Sequence, residues 1–378
     1  MKLIALAKLS FPLFAMLALL VSCDSPSTRV EKTEAPATLV ILTMPEYFAP
    51  EVIEKFEARF AVKVEQVYYE SLGQMMGMLR SHPDKYDLVT TDDVSIAELS
   101  NVKLITEIDH QKITNFENLD KRYLDQHFDP GNRFSIPYVW GTTLISYRTD
   151  KIPDPENSWN LLWNPRLKGK IAMMDERADI YAAALLTGGH PLNSQDPAHL
   201  KEATDLLVKQ TKTLDPLYTD LFGGREQMLS GDIWAMITYS CDAAMIAAED
   251  ENIGYFIPQE GAPLWLDSFV IPKHAPNSDG AHSFIDYLCE PEIAAENANY
   301  VWYIPPVKGV ESFLSEDLLA DIALNPSDEI IEKCAFHASP TAARERIVNR
   351  GMKNILDGVR ASKLANVDHS ADSNSDQE

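Results

Sequence analysis

Basic residues are scarce in this chain: 33 Lys and Arg stand against 57 Asp and Glu, for a formal net charge of −24. Neutralising phosphates needs the opposite balance, so nucleic acid is excluded as a partner. An acidic surface is compatible with a cationic ligand, although it mostly governs solubility. Catalytic and metal signatures are missing as well. The nine His residues show no His-Glu-x-x-His spacing, and there is no Gly-x-Ser-x-Gly elbow or phosphate-cradling Gly loop. Gly188-Gly189 and Gly223-Gly224 read as isolated turn signals. No cofactor and no metal are therefore implied, and the chain is read as a non-enzyme. Cysteine is rare too. After Cys23 only Cys241, Cys289 and Cys334 remain, an odd number that leaves at least one free thiol, at spacings unsuited to zinc. All three are expected as buried thiols.

At the N-terminus, Lys2 and Lys8 precede an apolar run over residues 9–21 that is too short to span a bilayer as a mature helix. It ends Leu20-Val21-Ser22-Cys23, which resembles the lipobox of bacterial lipoproteins, where the Cys becomes the lipidated first residue. In Gram-negative lipoproteins an acidic residue such as Asp24 at the next position implies retention at the inner membrane. Residues 24–37, rich in Pro, Ser, Thr and charge, read as a flexible tether, and the acidic tail 366–378 as unstructured.

Between these ends strand-like and helix-like segments alternate. The run 39–42 is apolar throughout, as for a strand buried on both faces, and Pro50 suits the first turn of a helix with Val52, Ile53, Phe56 and Phe60 inward. Strands follow at 62–64 and 86–90, with a helix between them that Ser71 can cap. A second unit has strands at 170–174 and 232–239, helices at 178–186 and 243–248, and a helix opened by Asp196-Pro197. This is an α/β pattern with parallel sheet. Two such units joined by more than one crossing, behind a lipoprotein signal, predict a bilobal receptor that closes on its ligand by hinge motion. The expected division is residues 1–22 as signal peptide and 23–37 as lipidated Cys and tether. Residues 38–140 with 268–302 form one lobe, and 141–267 with 303–365 the other.

One stretch, 264–272, combines chemistry with strand character. Period-two geometry sends Trp265 and Asp267 to the same face, offering an aromatic wall and an anion to an organic ammonium. The plain alternative is a core Trp beside a strand-end Asp.

Several pieces, in order, resemble the periplasmic spermidine/putrescine-binding proteins of polyamine ABC transporters. They are Glu46-Tyr47, Tyr86-Asp87-Leu88-Val89, Ser135-Ile136-Pro137-Tyr138-Val139-Trp140-Gly141, Trp163-Asn164-Pro165, Lys168-Gly169-Lys170 and Trp265-Leu266-Asp267-Ser268. The resemblance runs over about residues 39–359 and implies a bilobal periplasmic-binding-protein fold with ligand in the cleft. By position it implies that Trp265 and Asp267 contact ligand. Glu176 and Asp179 fall on an acidic pair, each being the other carboxylate type from the usual one. Tyr239 stands where the family usually has Trp, Asp242 matches an Asp of putrescine-type receptors, and Tyr47 and Tyr303 fall on family tyrosines. His337 falls where a Gln contacts ligand. Two departures affect the first lobe: Met44 replaces an aromatic, and Val94 and Ser95 stand where another aromatic is expected.

Glu176, Asp179, Asp242 and Asp267 exceed what a diamine needs and would suit a triamine, with rings covering the methylenes. Capping of a nearby helix is the structural alternative for Glu176, Asp179 and Asp242. Tyr68-Tyr69 resembles the adjacent tyrosines of ferric-binding receptors, but no matching His or carboxylate set accompanies it. The implied partners are a polyamine, an inner-membrane ABC permease and, through the lipid, the membrane itself, with a monomeric receptor in the periplasm. The sequence leaves open a polyamine sensor of the same fold signalling to a membrane protein, and an α/β enzyme with an acidic site.

Overall fold

The computed structural model describes residues 37–375, with side chains over 37–360. The signal peptide, Cys23 and the tether up to residue 36 lie outside the described residues. Strand β1 (Ala37–Thr43) pairs in parallel with β2 (Val62–Tyr68) and β3 (Leu88–Asp92). The intervening helix Pro50–Phe60 buries Val52, Ile53 and Phe56, and the helix Leu72–Ser81 starts at Ser71, whose Oγ accepts from the Gln74 N–H at 3.2 Å.

Strand β4 (Ser135–Arg148) is unbroken over 14 residues, although Pro137 and Gly141 read as interruptions. Pro137 is tolerated because the register slips between Pro137 and Val139. The second unit supplies β5 (Ile171–Met174), β6 (Leu217–Thr219), β7 (Ala235–Tyr239) and β8 (Ile253–Phe256). The stretch containing Trp265 is β9 (Pro263–Val270), and β10 (Ala335–Phe336) pairs alongside it. The strand order is β2-β1-β3-β9-β4-β7-β5-β6. The first half of β4 pairs with β9, and the second half pairs with β7 and β8. β4 therefore runs from one α/β unit into the other.

Each unit has its own core. Leu39, Ile41, Phe56, Phe269 and Phe284 centre the first; Trp159, Tyr181, Leu207 and Ile237 centre the second. The segment after Tyr303 is shared, with Ile304, Val307 and Leu318 in the first core and Ala323, Met352 and Ile355 in the second. Three details differ from the sequence reading. Cys241 and Cys289 are buried free thiols, but Cys334 is only half-buried, since it follows the short exposed helix Asp328–Ile331. The final helix runs Ala342–Ser375, through residues expected to be unstructured, because extending a nucleated helix costs far less than starting one. Asp242 lies within the first turn of the helix Ser240–Glu249, whose N-cap is Tyr239, so it is not itself the cap.

Candidate binding site

The predicted residues follow the carboxyl ends of parallel strands, where α/β sheets bind ligands. Met44 and Tyr47 come after β1, Glu176 and Asp179 after β5, and Tyr239 and Asp242 at the end of β7. Asp92 and Asp93, at the end of β3, join this set and were not singled out in the sequence. The crossing strand β9 brings in Trp265 and Asp267, so residues far apart in sequence meet at the junction of the two units.

The rings form a connected series. Trp265 meets Tyr239 edge-on at 5.9 Å between centroids and Tyr303 at 5.7 Å. Tyr303 meets Tyr47 at 5.6 Å, and Tyr47 meets Tyr138 at 5.8 Å. Such pairs contribute about 0.5–1.5 kcal/mol each beyond their burial. Tyr303 is aimed by Trp302, which ends the helix Pro291–Val301 in the left-handed region at φ 60°. Gly141 makes room for the Trp265 ring: a Cβ there would lie 2.2 Å from Cζ2 of Trp265 and 2.7 Å from Ser240 Oγ.

Acids surround this series. Asp267 is buried and accepts a short hydrogen bond from the Tyr47 hydroxyl. Burial pushes its carboxyl up to about 7; the Tyr47 bond opposes the rise, and Asp92, directly across the β3–β9 ladder, adds to it. Asp242, beside the Cys241 thiol at 3.5 Å, is pushed up to about 6, chiefly by burial. Asp179 is buried in the first turn of the helix Arg177–Thr187, yet its bonds reach other elements. Thr143 Oγ1 donates to it at 3.1 Å, and His337 Nε2 lies 3.0 Å from the same oxygen. Glu176 stands exposed at the N-cap position, its carboxyl raised by partial desolvation and then by Asp179. The Tyr239 hydroxyl is raised first by burial and then by Asp179, Glu176, Asp242 and Asp267, so all four predicted carboxylates act on one ring.

Asp93 is buried, and its carboxyl is driven upward by desolvation, then by Asp92 and Asp267. The charges that act most strongly on Asp93 and Asp267 are other carboxylates. The arrangement is an aromatic-walled site dominated by carboxylates, with Arg177 acting on Glu176 and Arg225 on Asp242. Among the described residues no group of His, Cys, Asp and Glu could hold a metal.

Met44 is half-buried against the first core. Val94 is 64% exposed and leaves open space beside it. That space belongs to a cavity of about 290 Å³ whose walls include Asp93, Val94, Phe128, Glu176, Arg177 and Arg344. Glu176 and His337 are the predicted residues on its walls. Trp265, Asp267, Tyr239, Asp242, Tyr47 and Tyr303 are not on its walls, and the link to them runs through His337, which meets Asp179. Phe128 and Arg344 carried no strand-end or paired-acid signal that sequence could reveal.

Two α/β units, strands crossing between them and a polar cluster at their junction define a two-lobed binding protein. The chain belongs to the bacterial extracellular solute-binding protein family, whose sequence pattern matches residues 51–326. It is 30% identical over 298 residues to the spermidine/putrescine-binding periplasmic protein of Salmonella typhimurium, covering 78% of this chain and 85% of that protein. The spermidine/putrescine ABC transporter substrate-binding protein of Streptococcus pneumoniae superposes with a TM-score of 0.81 at 28% identity, over 85% of this chain and 99% of that one. A lipoprotein of Treponema pallidum superposes with a TM-score of 0.74 at 24% identity, over 84% and 99%, a likeness of fold. Proteins of this family are transport receptors and not enzymes, which agrees with the missing catalytic motifs.

Proposed function

We propose that this chain is an extracytoplasmic polyamine receptor that closes on its ligand and delivers it to an ABC permease. The observation that carries this reading is the ring series Tyr239, Trp265, Tyr303 and Tyr47, with the buried Asp267 bonded to the Tyr47 hydroxyl at its end. A polyamine offers ammonium groups separated by apolar methylenes. Carboxylates take the first and rings cover the second, with cation–π attraction of roughly 0.5–2 kcal/mol per ring. Asp267, Asp242, Asp179 and Glu176 are the ammonium partners in this reading. Trp265, Tyr239, Tyr303 and Tyr47 form the walls. Met44 and His337 shape the two ends, His337 by holding Asp179 in place.

Ligand charge also supplies a driving force for closure. Buried carboxylates brought together without a cation repel one another and take up protons; an ammonium removes that penalty. The relatives bind spermidine, putrescine or cadaverine by name, which supports the ligand class. Attachment to the inner membrane through Cys23 completes the proposal, supported by the residue order at the N-terminus.

Calorimetric titration of the full chain with putrescine, spermidine and norspermidine tests the ligand class; binding of none of them overturns it. Lipid labelling in cells tests the anchor, which predicts that the label is lost in Cys23→Ser. A permease and ATPase encoded beside this gene support delivery, whereas a sensory enzyme there would favour signalling.

A further inference from the structure

The chain buries two described arginines almost completely, Arg148 and Arg344, at 8% and 5% exposure. Arg148 is held as a buried guanidinium must be. Its Nε lies 2.9 Å from Asp150, its Nη1 lies 3.0 Å from Asp250, and it also donates to the Met228 carbonyl at 3.1 Å. Arg344 has no such partners. One Nη2 contact reaches the Leu192 carbonyl at 3.4 Å, its Nε is buried without an acceptor, and among the described residues no carboxylate lies within ion-pair distance. A buried guanidinium with so few acceptors is set up to take an anionic partner.

Arg344 lines the cavity that Glu176 and His337 also line, and so does Arg177, which bonds Asn349 and acts on Glu176. Another wall of the same cavity carries the buried Asp93, and Glu176 belongs to the proposed polyamine site. One cavity thus presents a buried guanidinium short of an anion and a buried carboxyl. Val94 and Phe128 supply apolar wall around them.

We propose that this cavity binds the carboxylate end of an amine ligand, so that the preferred ligand is a carboxylated polyamine or diamino acid rather than a plain polyamine. The carboxylate pairs with Arg344, assisted by Arg177, and the neighbouring ammonium pairs with Asp93 and Glu176. Further amino groups extend toward Asp179, Tyr239 and Trp265. Bidentate pairing with a guanidinium is strong and planar, which makes it selective for a carboxylate. This inference rests on the polyamine reading of the adjoining site and narrows its ligand class.

Two matched pairs of probes test it: putrescine against ornithine, and cadaverine against lysine, which differ by the α-carboxylate. Titration of the full chain is expected to show tighter binding of the carboxylated member. In Arg344→Gln that preference falls by about tenfold or more while diamine affinity stays within about twofold, because only the carboxylate contact is lost. Arg344→Lys restores part of the preference. A melting curve accompanies each variant, and Arg177→Gln, an exposed change, gives a smaller loss of the same sign without risk to folding. Diamines that bind while neither arginine variant alters the preference would overturn the carboxylate site and leave the polyamine reading standing. Absence of binding by every amine, carboxylated or not, would overturn both.

Discussion

Asp92 and Asp267 sit directly opposite one another on the antiparallel strands β3 and β9. Cross-strand neighbours of like charge destabilise a sheet. Here the opposition is placed at the end of β3, against the middle of β9, and the charge acting on Asp267 is that of Asp92. The Tyr47 hydroxyl supplies the hydrogen bond that Asp267 does have. The site is therefore arranged so that a bound cation improves on the ligand-free state.

Asp267→Asn separates the cost of this arrangement from its use. The amide keeps an acceptor for Tyr47 and removes the buried charge. Ligand affinity is expected to fall by about 3–5 kcal/mol, the usual result of removing one partner of a buried pair. The ligand-free protein is expected to gain stability at pH 8, read as a higher melting temperature. Normal affinity in the variant would mean that the site lies elsewhere.

The pH dependence follows from the raised carboxyls. The folded protein holds protons on Asp267 up to about 7 and on Asp242 up to about 6, above the ordinary carboxylate value of 3.8 that applies unfolded. Between about pH 4 and 7 the folded state binds more protons than the unfolded one. Stability of the ligand-free protein is then greatest near the low end and declines as pH rises through 6 and 7. A cationic ligand binds the ionised form, so polyamine binding near pH 6 releases protons and tightens toward pH 8. Calorimetry in two buffers of different ionisation enthalpy measures the release; proton uptake on binding would contradict it.

Gly141→Ala tests the fit of the Trp265 ring against the backbone. The added methyl meets the ring at 2.2 Å, so the ring must move away from Tyr239 and Tyr303. Overpacking of this kind costs about 1–3 kcal/mol. Urea denaturation and tryptophan fluorescence should show lower stability and an altered Trp environment together with weaker ligand binding.

Met44→Trp places an aromatic ring just after β1. Met44 is half-buried, so the larger ring can be housed near the surface. The variant is expected to fold with little loss of stability while its relative affinities for putrescine, spermidine and norspermidine change. Unchanged ratios in parallel titrations would show that position 44 does not contact the ligand.

The sequence displayed the fold well where periodicity and caps agree. Val52, Ile53 and Phe56 follow helical spacing, Ser71 and Asp196 cap as their chemistry suggests, and the apolar run of β1 is buried. It also displayed Trp265 and Asp267, because alternation in a strand fixes which residues share a face. The β4 crossing was harder to see, since Pro137 and Gly141 look like breaks. Gly141 is explained by the Trp265 ring pressed on it, a tertiary fact. Asp92 caps the helix Asp93–Asn101, accepting from Ser95 N–H at 3.0 Å, and its neighbour Asp93 opens that helix. Their proximity to Asp267 depends on β9 pairing next to β3, which no local signal encodes. Arg344 and Phe128 reach their cavity only through the packing of distant segments.

A crystal structure of the full chain with bound spermidine would locate the ligand outright. An ammonium is expected within hydrogen-bonding distance of Asp267 or Asp179, with methylenes against Trp265 and Tyr239. A polyamine bound away from these four residues would contradict that placement.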